Sequence, residues 1–225
     1  FDNVLFKDAT YDANTSGIVI VLTSNFQSEE EMKKQLGLPI FYRIDKMIHF
    51  DEADENYLHY GVGMYGGKFM PWHMGHRFCA RTASFLCDKL YLILFYGGAQ
   101  EEEIIQNNMV LPKEFLTLDY RRNAMQKEAA LITRNNNCHV IPLVIDVTNC
   151  KTPEGKEDWD AETPLVLINC GKLDAVFSSE PSYDDYFKRA YPEATHILID
   201  PPRHFVPISG TACRNMTEKE AKGWM

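Results

Sequence analysis

Residues 66–76 read GGKFMPWHMGH, and their types and spacing suit one kind of chemistry. His73 and His76 stand three apart, a spacing that brings both imidazoles to one side of a first helical turn. Lys68 adds a cation upstream, and Gly66, Gly67 and Gly75 let a ligand approach the backbone closely. Imidazole N–H groups, an ammonium and the free N–H groups of a helix N-terminus all donate to phosphate oxygens. The pattern therefore points to binding and orienting a phosphorylated ligand. A Walker A loop does not fit, because G-x-x-x-x-G-K-[ST] needs glycine where Val62 stands and a hydroxyl where Phe69 stands. Gly61, Gly63 and Gly66 match the spacing of G-x-G-x-x-G, but they fall inside an expected strand with no helix directly after them. That argues against a dinucleotide-binding fingerprint.

Such a loop needs a strand and a helix to fix its ends. Residues 61–66 (GVGMYG) supply the strand, and apolar residues at helical spacing over 75–87 supply the helix. Residues 90–96 (LYLILFY) read as a buried strand and 119–134 as the clearest helix. Three more strands are expected over 139–146, 173–178 and 195–200, with a helix over 183–190. Residues 164–170 (PLVLINC) have a strand-like composition, yet the alternation of strands and crossovers assigns them to a helix. Glu101–Glu103 read as a solvated face and residues 135–137 as a turn. The sum is an α/β protein with a five-stranded parallel sheet, whose ligands bind at the carboxyl ends of the strands, where residues 66–76 lie.

Composition narrows the classes of function. The 225 residues are 45% apolar with a net charge of −9, which fits a folded chain and disfavours a bulk nucleic-acid binder. No run of about 18 uncharged apolar residues occurs, and the first residues lack a basic segment leading into an apolar one, so a cytoplasmic protein without membrane contact is expected. The six cysteines are scattered without a C-x-x-C pair, and read as reduced structural thiols rather than a metal site. Residues 1–58 carry five Lys or Arg against eleven Asp or Glu, and the acidic stretch DEADEN at 51–56 places a boundary near Leu58.

The stretch GKFMPWHMGH, residues 67–76, resembles the G-x-F-x-P-x-H-x-G-H signature of the HxGH nucleotidyltransferases, and ISGTACR, residues 208–214, resembles their I-S-x-T-x-x-R signature. Between them, SSEPSYDDYFKRAYPEATHILIDPPRHFVPISGT is similar to the NadR-type nicotinamide-nucleotide adenylyltransferases. The likeness spans roughly residues 60–215. It implies a Rossmann-like nucleotidyltransferase fold over residues 59–225, with the 5′-phosphate of nicotinamide mononucleotide attacking the α-phosphorus of ATP to give NAD and pyrophosphate. The resemblance assigns catalytic roles to His73, His76, Lys68 and Arg214, with His76 nearest the α-phosphate. Gly67, Phe69 and Gly75 would join Ser209, Gly210 and Thr211 in binding ATP, Ser209 as an N-cap opening a helix toward the β- and γ-phosphates. Mg²⁺ would be held by ATP and water rather than by a protein cage. Trp159 matches the position that stacks an aromatic on the pyridine ring, with Ser179 and Glu180 nearby as further acceptor contacts. Trp72 packs the loop in this reading, and Arg121 and Arg122 lie on a solvated helix face. A homo-oligomer is left open.

Residues 1–58 read as a small α/β segment of their own. GIVIVLTSN, residues 17–25, is a buried strand, followed by a helix start at Ser28 with Glu31 in capping-box position. With LPIFYRIDKMIHF at 38–50, it resembles the late part of an AAA+ ATPase domain, Asn25 matching the sensor and Arg43 the arginine finger. Only sixteen residues precede the strand and they contain no phosphate loop, so ATPase activity is not expected of this segment. Two alternatives remain open. One is an HxGH transferase using a different phosphate acceptor or CTP. The other is a non-catalytic nucleotide sensor attached to an AAA+ module, against which the intact Lys68, His73, His76 and Arg214 speak.

Overall fold

The computed structural model describes residues 59–225. The AAA+-like reading of residues 1–58, with Asn25 and Arg43, lies outside them, as does the boundary near Leu58. The described chain builds one sheet of five parallel strands: β1 Tyr60–Gly67, β2 Cys87–Tyr96, β3 His139–Asp146, β4 Ala175–Ser178 and β5 Thr195–Leu198, in the order β3-β2-β1-β4-β5. Parallel neighbours require crossovers. These are α1 Met74–Ser84, α2 Gly98–Asn107, α3 Leu118–Asn135, α4 Trp159–Cys170 and α5 Asp184–Ala190; α6 Gly210–Arg214 and α7 Glu218–Ala221 follow the last strand. This is the expected Rossmann-like α/β architecture.

Helices cover both faces of the sheet, so β2 is buried on both and reads as a continuous apolar run. Leu90, Leu92 and Leu94 pack on one face with Ala80 and Ala83 of α1 and Met125 and Ala129 of α3. Ile93 points the other way, against Val166 of α4 and Val176 of β4. Fully burying each of the Leu, Ile, Val and Met side chains among these stabilises the fold by about 1.5–3 kcal/mol. The six cysteines are buried and free, acting as small apolar fillers.

Residues 164–170 are helical despite their strand-like composition, for reasons found at the helix ends. Asp158 caps the N-terminus, its Oδ1 accepting from Asp160 N at 3.1 Å and Ala161 N at 3.2 Å, and Gly171 ends the helix at φ 72°. Two expectations are corrected. The helix expected over 75–87 stops at Ser84, because the run Phe85-Leu86-Cys87 suits either period and the sheet claims it: Tyr60 N donates to Leu86 O at 2.8 Å and Tyr60 registers with Cys87. The strands expected over 173–178 and 195–200 are shorter, each limited to the four residues that pair across β4 and β5.

After β1 the chain runs to β2 and β3 on one side, then returns to add β4 and β5 on the other. The carboxyl ends of β1 and β4 therefore flank the switch point where open α/β sheets hold ligands. Among the described residues no helix is long and apolar enough to cross a membrane.

Candidate active site

The loop leaving β1 is held by its own aromatics. Phe69, at φ 51°, and Trp72 are buried and meet edge to face at 4.7 Å, forming a floor beneath His76. On this floor α1 begins with two histidines that cap each other. His73 Nδ1 accepts from Gly75 N at 3.1 Å, and His76 Nδ1 accepts from His73 N at 3.4 Å. With both Nδ1 atoms accepting, hydrogen bonding assigns the proton to Nε2 on each ring. The rings stack with centroids 3.7 Å apart, and His73 Nε2 is buried without a protein partner. Gly75 is required here, since a Cβ would lie 2.9 Å from the His73 ring.

Burial, then the nearby Arg203 and Arg214 guanidiniums, lower the His73 pKa to about 4. Burial, then His73 and Arg203, hold His76 well below the usual imidazole range. Both rings are neutral at pH 7, each offering one N–H rather than a full charge.

The opposite wall comes from the chain after β5. Ser209 caps α6, its Oγ accepting from Ala212 N at 3.1 Å, which leaves Gly210 and Thr211 in the first turn ahead of intrahelical bonding. Arg214 Nη1 donates to Met70 O at 2.7 Å and Nη2 to Thr211 Oγ1 at 3.0 Å, so one guanidinium ties α6 to the loop before α1. Arg203, at φ 53°, projects from a turn in which the Asp200 carboxylate accepts from His204 N and Phe205 N, and it pairs with Glu180.

Lys68 is anchored rather than free. Its Nζ lies 2.6 Å from Glu157 Oε1 and donates to Gly97 O at 3.0 Å. Behind it stands Arg121, which does not lie on a solvated face. It is fully buried, donating to Glu101 through Nη2 at 2.6 Å and Nη1 at 3.1 Å, and to Lys68 O at 2.8 Å. Glu101 is buried too, correcting the solvated reading at that residue, while Glu102 and Glu103 are exposed as expected. A buried guanidinium persists only with such a matched partner, and that partner lies on α2, a helix the sequence pattern did not reveal. Arg122 is on the surface as expected, paired with Asp119.

The far end of the cavity is aromatic. Trp159, the first residue of α4, meets Tyr183 at 4.9 Å and Tyr186 at 5.2 Å, both edge to face, and Tyr186 OH donates to Trp159 O. Ser179 Oγ lies 3.1 Å from Cys79 Sγ, where β4 ends.

One cavity of about 360 Å³ unites these walls. Gly67, Lys68, Phe69, His73, Gly75 and His76 line it from the β1 side, Ser209, Gly210, Thr211 and Arg214 from the α6 side, and Trp159, Ser179 and Glu180 from the aromatic end. Every residue to which the resemblance assigned a catalytic, ATP-binding or acceptor role thus lines the same space, whereas Trp72, Arg121 and Arg122 do not. The sequence reading missed Arg203, Glu157 and Glu162. Arg203 stands in the PPRHFVPIS stretch used for the resemblance and could have been noticed there; the two glutamates lie in an unremarkable acidic segment.

A doubly wound sheet with a cavity at its switch point defines the fold class, and the comparisons refine it. No sequence-family profile and no curated protein matches the chain. Among solved structures, NadR protein in complex with NR aligns with TM-score 0.50 at 18% identity, over 73% of this chain and 43% of that one. NadR in complex with NAD and AMP-PNP aligns with TM-score 0.49 at 18% identity, covering 73% and 44%. A bifunctional NMN adenylyltransferase/ADP ribose pyrophosphatase from Francisella tularensis follows with TM-score 0.48 at 16% identity, covering 72% and 44%. The chain spans less than half the length of each. The likeness to the first establishes the fold: residues 59–225 have a NadR-like nucleotidyltransferase fold.

Proposed function

We propose that residues 59–225 transfer the adenylyl group of ATP to nicotinamide mononucleotide, forming NAD and releasing pyrophosphate. The observation carrying this reading is the convergence of His73, His76, Lys68 and Arg214 with the Ser209–Thr211 turn on a cavity whose other end is walled by Trp159, Tyr183 and Tyr186. NadR, solved in complex with NR, has the fold in which such a reaction would be housed.

In this mechanism an oxygen of the acceptor's 5′-phosphate attacks the α-phosphorus, and the bond from that phosphorus to the bridging oxygen of pyrophosphate breaks, the leaving group keeping the electron pair. The acceptor phosphate is already anionic, so no general base is needed, and catalysis is alignment plus charge stabilisation. The Nε2–H groups of His73 and His76 donate to phosphate oxygens, and being neutral they do so without imidazolium formation. Arg214 supplies charge at the β- and γ-phosphates beside Gly210 and Thr211, with Arg203 as a further cation near the histidines. Lys68 faces the cavity between the phosphate and aromatic ends. Among the described residues no cluster of three or more His, Cys, Asp or Glu side chains is arranged to hold a metal. Magnesium enters this reading with the substrate, as MgATP.

The test is to incubate the protein with MgATP and nicotinamide mononucleotide and measure NAD and pyrophosphate together. Equimolar formation of both is expected. Turnover of another phosphate acceptor or of CTP, with no NAD, would reject the acceptor and retain nucleotidyl transfer.

A further inference from the structure

The loop joining β4 to α5 brings Ser179, Glu180 and Tyr183 to the cavity wall, and one imidazole holds both of its ends. His196 of β5 registers with Val176 of β4, two residues before Ser178, so the His196 and Ser178 side chains rise from one face of the sheet. His196 Nε2 lies 2.7 Å from Ser178 Oγ, where β4 ends, and Nδ1 lies 3.1 Å from Asp184 Oδ1, where α5 begins. The imidazole side chain is 3% exposed and meets Phe187 edge to face at 4.9 Å. Lys188, then His196, hold the Asp184 carboxyl below its ordinary range, so at pH 7 it is a carboxylate and only accepts. Nδ1 therefore carries a proton, and Nε2 of the neutral ring accepts from the Ser178 hydroxyl. Ser178 Oγ in turn accepts from Glu180 N at 3.2 Å. The relay runs from Asp184 to the Glu180 backbone with every polar atom partnered, and the adenylyl transfer itself calls on none of its side chains.

What the relay holds matters at the other wall of the cavity. Glu180 pairs with Arg203, the cation whose charge reaches both His73 and His76. The Arg203 and Glu180 side chains are 40% and 38% exposed, and an ion pair so open to water fixes geometry weakly. Rigidity has to come from behind, from the buried contact of His196 with Ser178, which sets the Glu180 backbone. We propose that His196 is a positioning residue for nucleotide binding: it clasps the β4–α5 loop at both ends and, through Ser178 and Glu180, holds the Arg203 guanidinium where triphosphate oxygens bind. This rests on reading the cavity as an ATP site, and it gives a role there to a residue that does not touch the ligand.

Calorimetric Kd values for MgATP at pH 7, with urea unfolding of each variant as a check on folding, test the proposal. His196→Ala is expected to raise Kd by about tenfold in the otherwise unaltered chain. Beside Arg203→Ala the same change should raise it by less than about twofold, because a residue acting through Arg203 then has nothing left to position. His196→Gln keeps an amide at the Nε2 position, within reach of Ser178, and should restore most of the affinity. His196→Asn keeps one at the Nδ1 position, within reach of Asp184 alone, and should not. The Gln and Asn variants are alike in polarity, so their comparison decides the matter where alanine unfolds the chain. Equal losses in both backgrounds, an unmoved Kd in His196→Ala, or Gln and Asn variants that bind alike would overturn the clasp and leave NAD synthesis standing. ATP binding that follows the expected pattern without NAD formation would overturn the adenylyl-transfer reading and keep the clasp. No ATP binding by the unaltered chain would overturn both.

Discussion

Capping fixes what His73 and His76 can do. Because each Nδ1 accepts a backbone N–H in the first turn of α1, each ring is held with Nε2 as its donor, and the two donors are set by the chain's own helix start rather than by a remote scaffold. The depressed His73 pKa has a consequence for stability. The unfolded chain takes up this proton near pH 6.5 and the folded chain only near 4, so the contribution is complete above about 6.5 and lost as pH falls toward 4, about 3 kcal/mol across that window. In urea unfolding at pH 7 and 4.5, His73→Asn, which keeps a capping acceptor, should depend less steeply on pH than the unaltered chain. The same variant lacks the Nε2–H that we propose donates to phosphate, and its kcat for NAD synthesis should fall by about 10²–10³.

Two helices behind the site carry a buried ion pair with a defined purpose. Arg121 of α3 grips Glu101 of α2 with two hydrogen bonds and spends a third on the Lys68 carbonyl, so the α2–α3 contact holds the end of β1 in place. Arg121→Met strands a buried carboxylate and should cost about 3–5 kcal/mol in chemical denaturation, and adding Glu101→Met should recover much of that loss. Of the elements around the site, β1, β2, β3, α3 and α4 were legible because their apolar residues keep a regular period or their ends carry caps. The α2 helix was not. Its residues are mostly polar, and what makes Glu101 a core residue is an arginine twenty positions away, a relation no local pattern encodes.

The order β3-β2-β1-β4-β5 puts the candidate site where three separated stretches of chain meet: the β1–α1 loop, the start of α4, and the turn before α6. Ligand binding to such a junction should tighten the whole described unit. ATP at about 100 times its dissociation constant is expected to add about 2.7 kcal/mol to the unfolding free energy, with Trp72 and Trp159 fluorescence as the signal, and Arg214→Ala should remove most of this gain. An unfolding transition that ignores ATP would contradict a nucleotide site here.

The amino-acid sequence alone determined most of the elements, and the two motifs at 67–76 and 208–214 with their order, because helical and strand periods, caps and glycine spacing are local properties of the chain. It also brought forward His73, His76, Lys68, Ser209, Gly210, Thr211 and Arg214, since those residues sit in short contiguous runs, but not Arg203. Only the tertiary structure decided that Arg121 and Glu101 are an internal brace, that Lys68 is tied to Glu157, and that Glu162 is buried in the wall of the same cavity as Trp159. These depend on which charges share a low-dielectric interior, and that is set by the packing of distant segments, whose desolvation and proximity no spacing along the chain can express.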